Sequence, residues 1–304
     1  MRCACVDIGA NTTRLLVAEL DPARPAASSL RTVLAERLFT PLRAEREPGE
    51  PLDDEEIEAL GAQVAGQVAQ AREHGAEAVA VIATAVLRSA SNRDHVCAVI
   101  GGLTGEPLRI LDGHEEARLV FAGAVGSLAD APSGTVAVVD IGGGSSEVAV
   151  GTVAGGPRWA ASLQIGSRVL TAAHLRTDPP SAEQLRAARA DAHAAVAALE
   201  PPSVDAAFAV GGDTTSLRRL AGPVLDARAL AAALDAVCGA PADEVAARLA
   251  LHPRRARVLP AALLLLEACT EALQAPLRLC GGGLREGVVH ELLREQHESN
   301  GQGA

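Results

Sequence analysis

The 304-residue sequence contains no lysine and no tyrosine, and only one Trp, one Met and three Phe. Each shortage removes a class of function. Without lysine there can be no Walker-type phosphate loop, whose ammonium group reaches the nucleotide phosphates. All 27 basic residues are Arg, a habit that also fits an Ala-rich coding bias. So few aromatics leave no stacking platforms for single-stranded nucleic acid. A formal net charge of −11 opposes a nucleic-acid surface as well, so no nucleic-acid partner is expected. The six cysteines form no Cys-x-x-Cys pair and no zinc spacing, which leaves buried free thiols. No apolar run has membrane length, since Glu267 ends the best candidate at 260–266, so no membrane partner is expected. Asp7 occupies the place where a signal peptide has its apolar centre. A cytoplasmic location is therefore expected.

What is present suits two domains with ordinary cores, at 48% hydrophobic and 21% charged residues. Strand and helix signals alternate along the chain, which argues α/β. Residues 2–20 read as strand, turn and strand. Asp53 starts a helix with Glu56 as capping box and Gly75 as stop, and Gly101-Gly102 closes another begun at Asn92. Asp112 caps the next, with Glu115 at the capping-box position and Arg118 as that glutamate's partner. Residues 254–274 read as one long helix bent at Pro260, and 284–294 as the last helix, followed by a frayed polar tail.

The organising stretch is 136–150, two β-branched strands around a turn that holds almost all its polar atoms. Gly142, Gly143 and Gly144 leave the backbone bare, so successive N–H groups can close on an anion. Ser145 and Ser146 add hydroxyls. Asp140 and Glu147 place a carboxylate at each end, which suits Mg²⁺ held by one or two carboxylates plus phosphate oxygens. A plain Gly-rich hairpin with exposed acids is the competing reading. Residues 6–20 echo the stretch: Val6-Asp7-Ile8-Gly9 repeats Val139-Asp140-Ile141-Gly142, and small residues, two hydroxyls, a charge and an apolar strand follow in the same order. Duplicated lobes facing each other would grip a phosphate chain from both sides.

Six ordered blocks make the sequence recognisable. They are Asp7-Ile8-Gly9-Ala10-Asn11-Thr12, Ala83-Thr84-Ala85-Val86-Leu87-Arg88 on to Asn92, Gly113-His114-Glu115-Glu116-Ala117-Arg118-Leu119, the 139–147 stretch, Gly211-Gly212-Asp213-Thr214-Thr215, and Gly281-Gly282-Gly283-Leu284-Arg285-Glu286-Gly287. Together they resemble the exopolyphosphatase/guanosine-pentaphosphate phosphatase family over 6–289. The resemblance implies an α/β fold of two RNase-H-like (actin/hexokinase-like ATPase) lobes around an interdomain cleft. Residues 1–124 would form the first lobe, joined by a C-terminal helix at about 289–304, and 125–288 the second. The chain ends where longer members add a helical domain, which implies a short, two-domain form.

The same resemblance implies a Mg²⁺-dependent phosphohydrolase, with Mn²⁺ as a substitute, acting on polyphosphate or guanosine pentaphosphate. Glu116 would activate the attacking water. Its helical stripe of Leu119, Val120 and Gly123 leans apolar, where a carboxylate is costly unless used; favouring the helix dipole is the competing role. Asp140, Glu147 and Asp7 would hold metal. Asn11, Thr12, Arg14, Thr84, Arg88, Gly142, Gly143, Gly144, Ser145, Gly211, Gly212, Thr214 and Arg255 would bind phosphate. The chain departs from the family pattern at three places. Arg254-Arg255-Ala256-Arg257 replaces Glu-Arg-Ala-Asp, Leu38-Phe39-Thr40-Pro41-Leu42 replaces Leu-Gly-x-Gly-Leu, and Asp213 stands where Thr or Ser is common. These departures make a catalytically weak alarmone or nucleotide sensor the rival reading. A sugar- or acetate-kinase relative shares the fold only. The oligomeric state is open, a homodimer included.

Overall fold

The computed structural model describes residues 1–21, 30–43, 49–128, 130, 132–211 and 214–301. Two compact units are present: Met1–Ser127 with Gly282–Ala304, and Leu128–Gly281.

The first unit runs β1 (Arg2–Ile8), β2 (Thr12–Leu20), β3 (Leu30–Phe39), α1 (Asp54–Glu73), β4 (Ala78–Ala83), α2 (Ala85–Arg88), α3 (Arg93–Thr104), β5 (Leu108–Ile110) and α4 (Gly113–Gly126). Its sheet has the order β3-β2-β1-β4-β5. β1, β2 and β3 pair antiparallel, while β4 and β5 continue from β1 in parallel. α1 begins as its sequence dictates: Asp53 and Glu56 form a reciprocal capping box. Its Ile57, Leu60, Val64, Val68 and Ala71 are buried at helical spacing against one sheet face. α3 corrects the reading of Gly101-Gly102 as a stop. The helix runs through both glycines to Thr104 and ends at Gly105, in left-handed backbone.

The second unit runs β6 (Val136–Ile141), β7 (Ser146–Thr152), β8 (Gly156–Leu163), α5 (Ser167–His174), α6 (Ala182–Ala197), β9 (Ala206–Val210), α7 (Thr214–Ala221), β10 (Val224–Leu225), α8 (Ala227–Cys238), α9 (Ala242–Leu249), α10 (Pro253–Ala256), α11 (Leu259–Ala272) and β11 (Leu277–Leu279). The sheet order is β10-β11-β9-β6-β7-β8. Its run β8-β7-β6-β9-β11 repeats the pairing senses of β3-β2-β1-β4-β5, so the echo in the sequence is a duplication of an RNase-H-like sheet. The single helix read over 254–274 is two. α10 ends at Ala256, and Pro260 sits in the first turn of α11, where its missing N–H has no helical partner to lose. α11 is buried nearly all round; its Glu267 accepts from Arg189 Nε of α6 at 2.7 Å. No helix among the described residues is long and apolar enough to cross a membrane.

The last helix, α12 (Leu284–Gly301), extends past the expected end at residue 294 and belongs whole to the first unit. The unit boundary therefore falls at Gly281/Gly282, not near residue 288. The cause is backbone-close packing of α12 on α4. A Cβ on Gly123 would lie 2.7 Å from the Gly287 nitrogen and closer still to the Gly283 carbonyl oxygen. Gly123→Ala is thus expected to destabilise the chain by about 3 kcal/mol, the upper end for overpacking a core. Urea unfolding measures it; an unchanged midpoint would show that α12 can back away freely.

Candidate functional site

In each unit the motif residues collect at the carboxyl edge of the parallel strands, where open α/β sheets place their ligands. The two turns that open the motifs are built alike. Gly9 N–H donates to Thr12 O at 3.1 Å, and Gly142 N–H donates to Ser145 O at 2.9 Å. Asp7 then lies opposite Arg14 across β1 and β2, as Asp140 lies opposite Glu147 across β6 and β7. The duplication holds the register and changes the chemistry: where the second unit sets two acids side by side, the first sets an acid beside a base.

In the first unit, the departure from the family pattern at Thr40 pins the turn. Thr40 N–H donates to Asn11 O at 3.1 Å, and its hydroxyl donates to Gly9 O at 2.8 Å. Thr12 stands at the start of β2, half-buried. Thr84 precedes α2 and is buried, and its carbonyl accepts from Arg88 N–H at 3.0 Å, so the two share one turn. Arg88 Nη1 donates to Leu111 O at 2.8 Å and to Glu116 Oε2 at 2.9 Å, while its Nη2 is buried with no partner. Glu116 is 5% exposed, in the first turn of α4. Its buried setting thus includes a counter-ion 28 residues away, which neither apolar burial nor the helix dipole had supplied. Glu115 is differently engaged from the expectation. Its N–H donates to Asp112 Oδ1 at 2.8 Å, but its carboxylate pairs with Arg109, and Arg118 instead bonds Glu291 at 2.8 Å. Asp7 is buried with Oδ1 unpartnered; burial pushes its carboxyl up, against the pull of Arg14 and Arg285.

In the second unit the glycine turn is anchored through its carbonyls. Gly142 O accepts from Ser167 N–H at 2.8 Å, and Gly143 O accepts from Arg168 N–H at 3.0 Å, where α5 begins. The approach is so close that a Cβ on Gly166 would lie 2.6 Å from Gly142 O and Gly143 O. Among the described residues, no protein acceptor meets the N–H groups of Gly143, Gly144 and Ser145, three in succession. Such a row suits the oxygens of an anion. Ser146 has another task, its hydroxyl donating to Ile165 O at 2.7 Å. Glu147 is buried, and its Oε1 accepts from Ser162 on β8, its register partner, at 2.8 Å. Sequence reasoning missed Ser162, which only the pairing of β7 with β8 brings to Glu147. A Cβ on Gly211 would collide with Asp140 Oδ1, so this end of β9 must be bare.

Gly212 and Asp213 lie outside the described residues; Thr214 opens α7, but its side chain is likewise outside the description. Arg255 lies half-buried in α10. The replacement Arg257 donates through its guanidinium to Leu175 O past the end of α5, which holds it in place and leaves its charge. Among the described residues no three His, Cys, Asp or Glu side chains gather as a metal cluster. Asp140 and Glu147, register partners on β6 and β7, offer a cation two hard oxygen donors. That set fits Mg²⁺, which keeps most of its shell as water and phosphate oxygen, and fits zinc poorly.

Comparisons with known proteins bear on the family and the fold. The model of the Ppx/GppA phosphatase family matches residues 24–296. Exopolyphosphatase 2 of Mycobacterium tuberculosis is 32% identical over 317 aligned positions, covering 99% of this chain and 92% of that protein. An uncharacterized protein of Streptomyces coelicolor is 38% identical over 194 residues, 62% of this chain and 55% of its own. The crystal structure of the Aquifex aeolicus Ppx/GppA family member superimposes with a TM-score of 0.81 at 27% identity, covering 97% of this chain and 98% of that one. The chain therefore belongs to the Ppx/GppA phosphatase family, hydrolases of phosphoanhydride bonds with the actin/hexokinase-like fold.

Proposed function

We propose that this chain removes the terminal phosphate from inorganic polyphosphate, short chains above all, and from guanosine pentaphosphate, with Mg²⁺ or Mn²⁺ as its cofactor. The observation that carries the reading is the row of three unmet N–H groups at Gly143, Gly144 and Ser145, next to the register-paired Asp140 and Glu147. Amide donors there take phosphate oxygens, and the paired carboxylates hold the cation. When bound, the cation neutralises charge on the phosphate chain.

In the hydrolytic step a water oxygen attacks the terminal phosphorus. Glu116 takes the water's proton, the bridging P–O bond breaks, and the shortened chain leaves with the bond's electrons. Arg88 holds Glu116 in place through Nη1 and turns its partnerless Nη2 to a phosphate oxygen.

Length preference follows from where the positive charge is. Gripping many units of a polyanion needs an extended basic track, yet the chain carries 27 basic against 38 acidic residues. Arg14 and Arg88 are drawn in at the motifs. Digestion of polymer is therefore expected to be distributive, and short chains to be cleaved at least as efficiently as long ones. The test is phosphate release from polymer several hundred units long, with product lengths followed on a gel. Intermediate lengths that accumulate early agree. Full-length polymer coexisting with free phosphate at half digestion overturns the length preference, and no release at all overturns the activity.

A further inference from the structure

A hydroxyl holds each of the two motif turns at the same place. Gly9 and Gly142 are corresponding residues of the repeat. Thr40, just past β3, donates its hydroxyl to Gly9 O at 2.8 Å and its N–H to Asn11 O at 3.1 Å. Ser167, the first residue of α5, donates its hydroxyl to Gly142 O at 3.1 Å and its N–H to the same oxygen at 2.8 Å. Both residues are 5% exposed. Each follows the third strand of its unit, β3 or β8, so the duplication carries the hydroxyl along with the turn.

A trans peptide is planar, with its C=O and N–H on opposite sides, so a donor fixed on one carbonyl oxygen sets the direction of the next residue's N–H. Thr40 thereby directs the N–H of Ala10, and Ser167 that of Gly143, away from the donating hydroxyl. The following peptide of the second unit is fixed likewise. Gly143 O accepts from Arg168 N–H at 3.0 Å and from Val169 N–H at 3.3 Å, which directs Gly144 N–H. Among the described residues no protein acceptor meets the N–H groups of Ala10 and Asn11, as none meets the row that begins at Gly143. The bland account is that the two hydroxyls only satisfy buried carbonyls. Gly142 O already has the Ser167 N–H, however, so a second donor from the same residue exceeds what satisfaction requires. Thr40 likewise grips its turn at two carbonyls.

We propose that Thr40 and Ser167 are positioning residues, each holding the first peptide of its motif turn so that the N–H faces a phosphate oxygen of the substrate chain. The inference rests on the phosphate-chain reading above, and neither hydroxyl itself touches substrate. Donors that are already aimed need no ordering when the anion arrives, which is where the gain in affinity lies. Without the hydroxyl the peptide after Gly9 or Gly142 can rotate, because glycine has no Cβ to resist it.

The experiment titrates the full chain, with Mg²⁺ present, with an imido-bridged tripolyphosphate whose P–N–P links resist hydrolysis. Calorimetry reads the affinity, and a melting curve without ligand accompanies each variant. Thr40→Val and Ser167→Ala each remove a hydroxyl and keep the backbone N–H. Each is expected to weaken binding about fivefold, the worth of one hydrogen bond, and Thr40→Ser to restore it. Thr270→Val is the control for stability. Its hydroxyl donates to Leu266 O at 2.9 Å within α11, so its loss should lower the melting point and leave the affinity unchanged. Wild-type affinity in either hydroxyl variant overturns the role of that hydroxyl and leaves the phosphate-chain reading standing, as does an equal loss in Thr270→Val. If Thr40→Val does not fold, Ser167→Ala, which deletes a single oxygen, decides alone. A wild-type chain that does not bind the analogue overturns both readings.

Discussion

Glu116→Gln is expected to lower turnover on phosphate chains by about a hundredfold or more, the usual loss when a positioned general base is removed. The amide keeps the shape and an oxygen for Arg88, so the substrate site stays assembled and KM should change little. Stability should fall slightly, by about 1–3 kcal/mol, because the 2.9 Å bond from Arg88 Nη1 loses its charged acceptor in a largely buried place. That separates Glu116 from its neighbour. Glu115 is half-buried and paired with Arg109, so Glu115→Gln should leave kcat near the wild-type value. Steady-state phosphate release, with a melting curve for each variant, checks both. A fully active Glu116→Gln beside an inactive Glu115→Gln would show that the base is the other carboxylate.

What the sequence revealed and what it hid divide along contact range. Local signals were readable: Asp53 with Glu56 as a capping box, Asp112 as a cap, and the Gly-rich turns after β1 and β6. The repeat was readable too, because a duplicated strand pair keeps its two-residue period and hence its register. Partners set by tertiary packing were not. Nothing near Glu116 in the chain names Arg88 as its counter-ion; α2 and the start of α4 must first be brought together by the pairing of β4 with β5. In the same way the Arg118 expected for Glu115 lies one helical turn away, yet Glu291 of α12 takes it, since α12 packs on α4. Gly101-Gly102 misled for a related reason. Propensity argues for a stop there, but Ile100 on the buried face of α3 keeps the helix against the core, and Gly105 provides the left-handed exit that actually ends it.

The second large effect concerns the pair Asp140 and Glu147. Like charges directly opposite each other on neighbouring strands are destabilising, and here one of the two is buried. Ser162 satisfies one oxygen of Glu147 at 2.8 Å but brings no positive charge. In the proposed function a polyphosphate end brought to the adjacent N–H row would add further negative charge, which a cation bound at the pair would offset. Hydrolysis should therefore disappear in excess chelator and return with Mg²⁺ or Mn²⁺. Asp140→Asn should reduce activity at least about a hundredfold at low Mg²⁺, with partial recovery as the metal concentration rises. Stability should move the other way. Asp140→Asn removes the opposed charge, so without metal it should unfold at the wild-type denaturant concentration or above it, by up to about 1 kcal/mol. Added Mg²⁺ should stabilise the wild type through binding to the folded state, and stabilise the variant less at the same concentration. This stability arm does not depend on turnover, so an inactive preparation cannot mimic it. Undiminished hydrolysis in chelator, or an equal Mg²⁺ response in wild type and Asp140→Asn, would remove the metal from this pair of carboxylates.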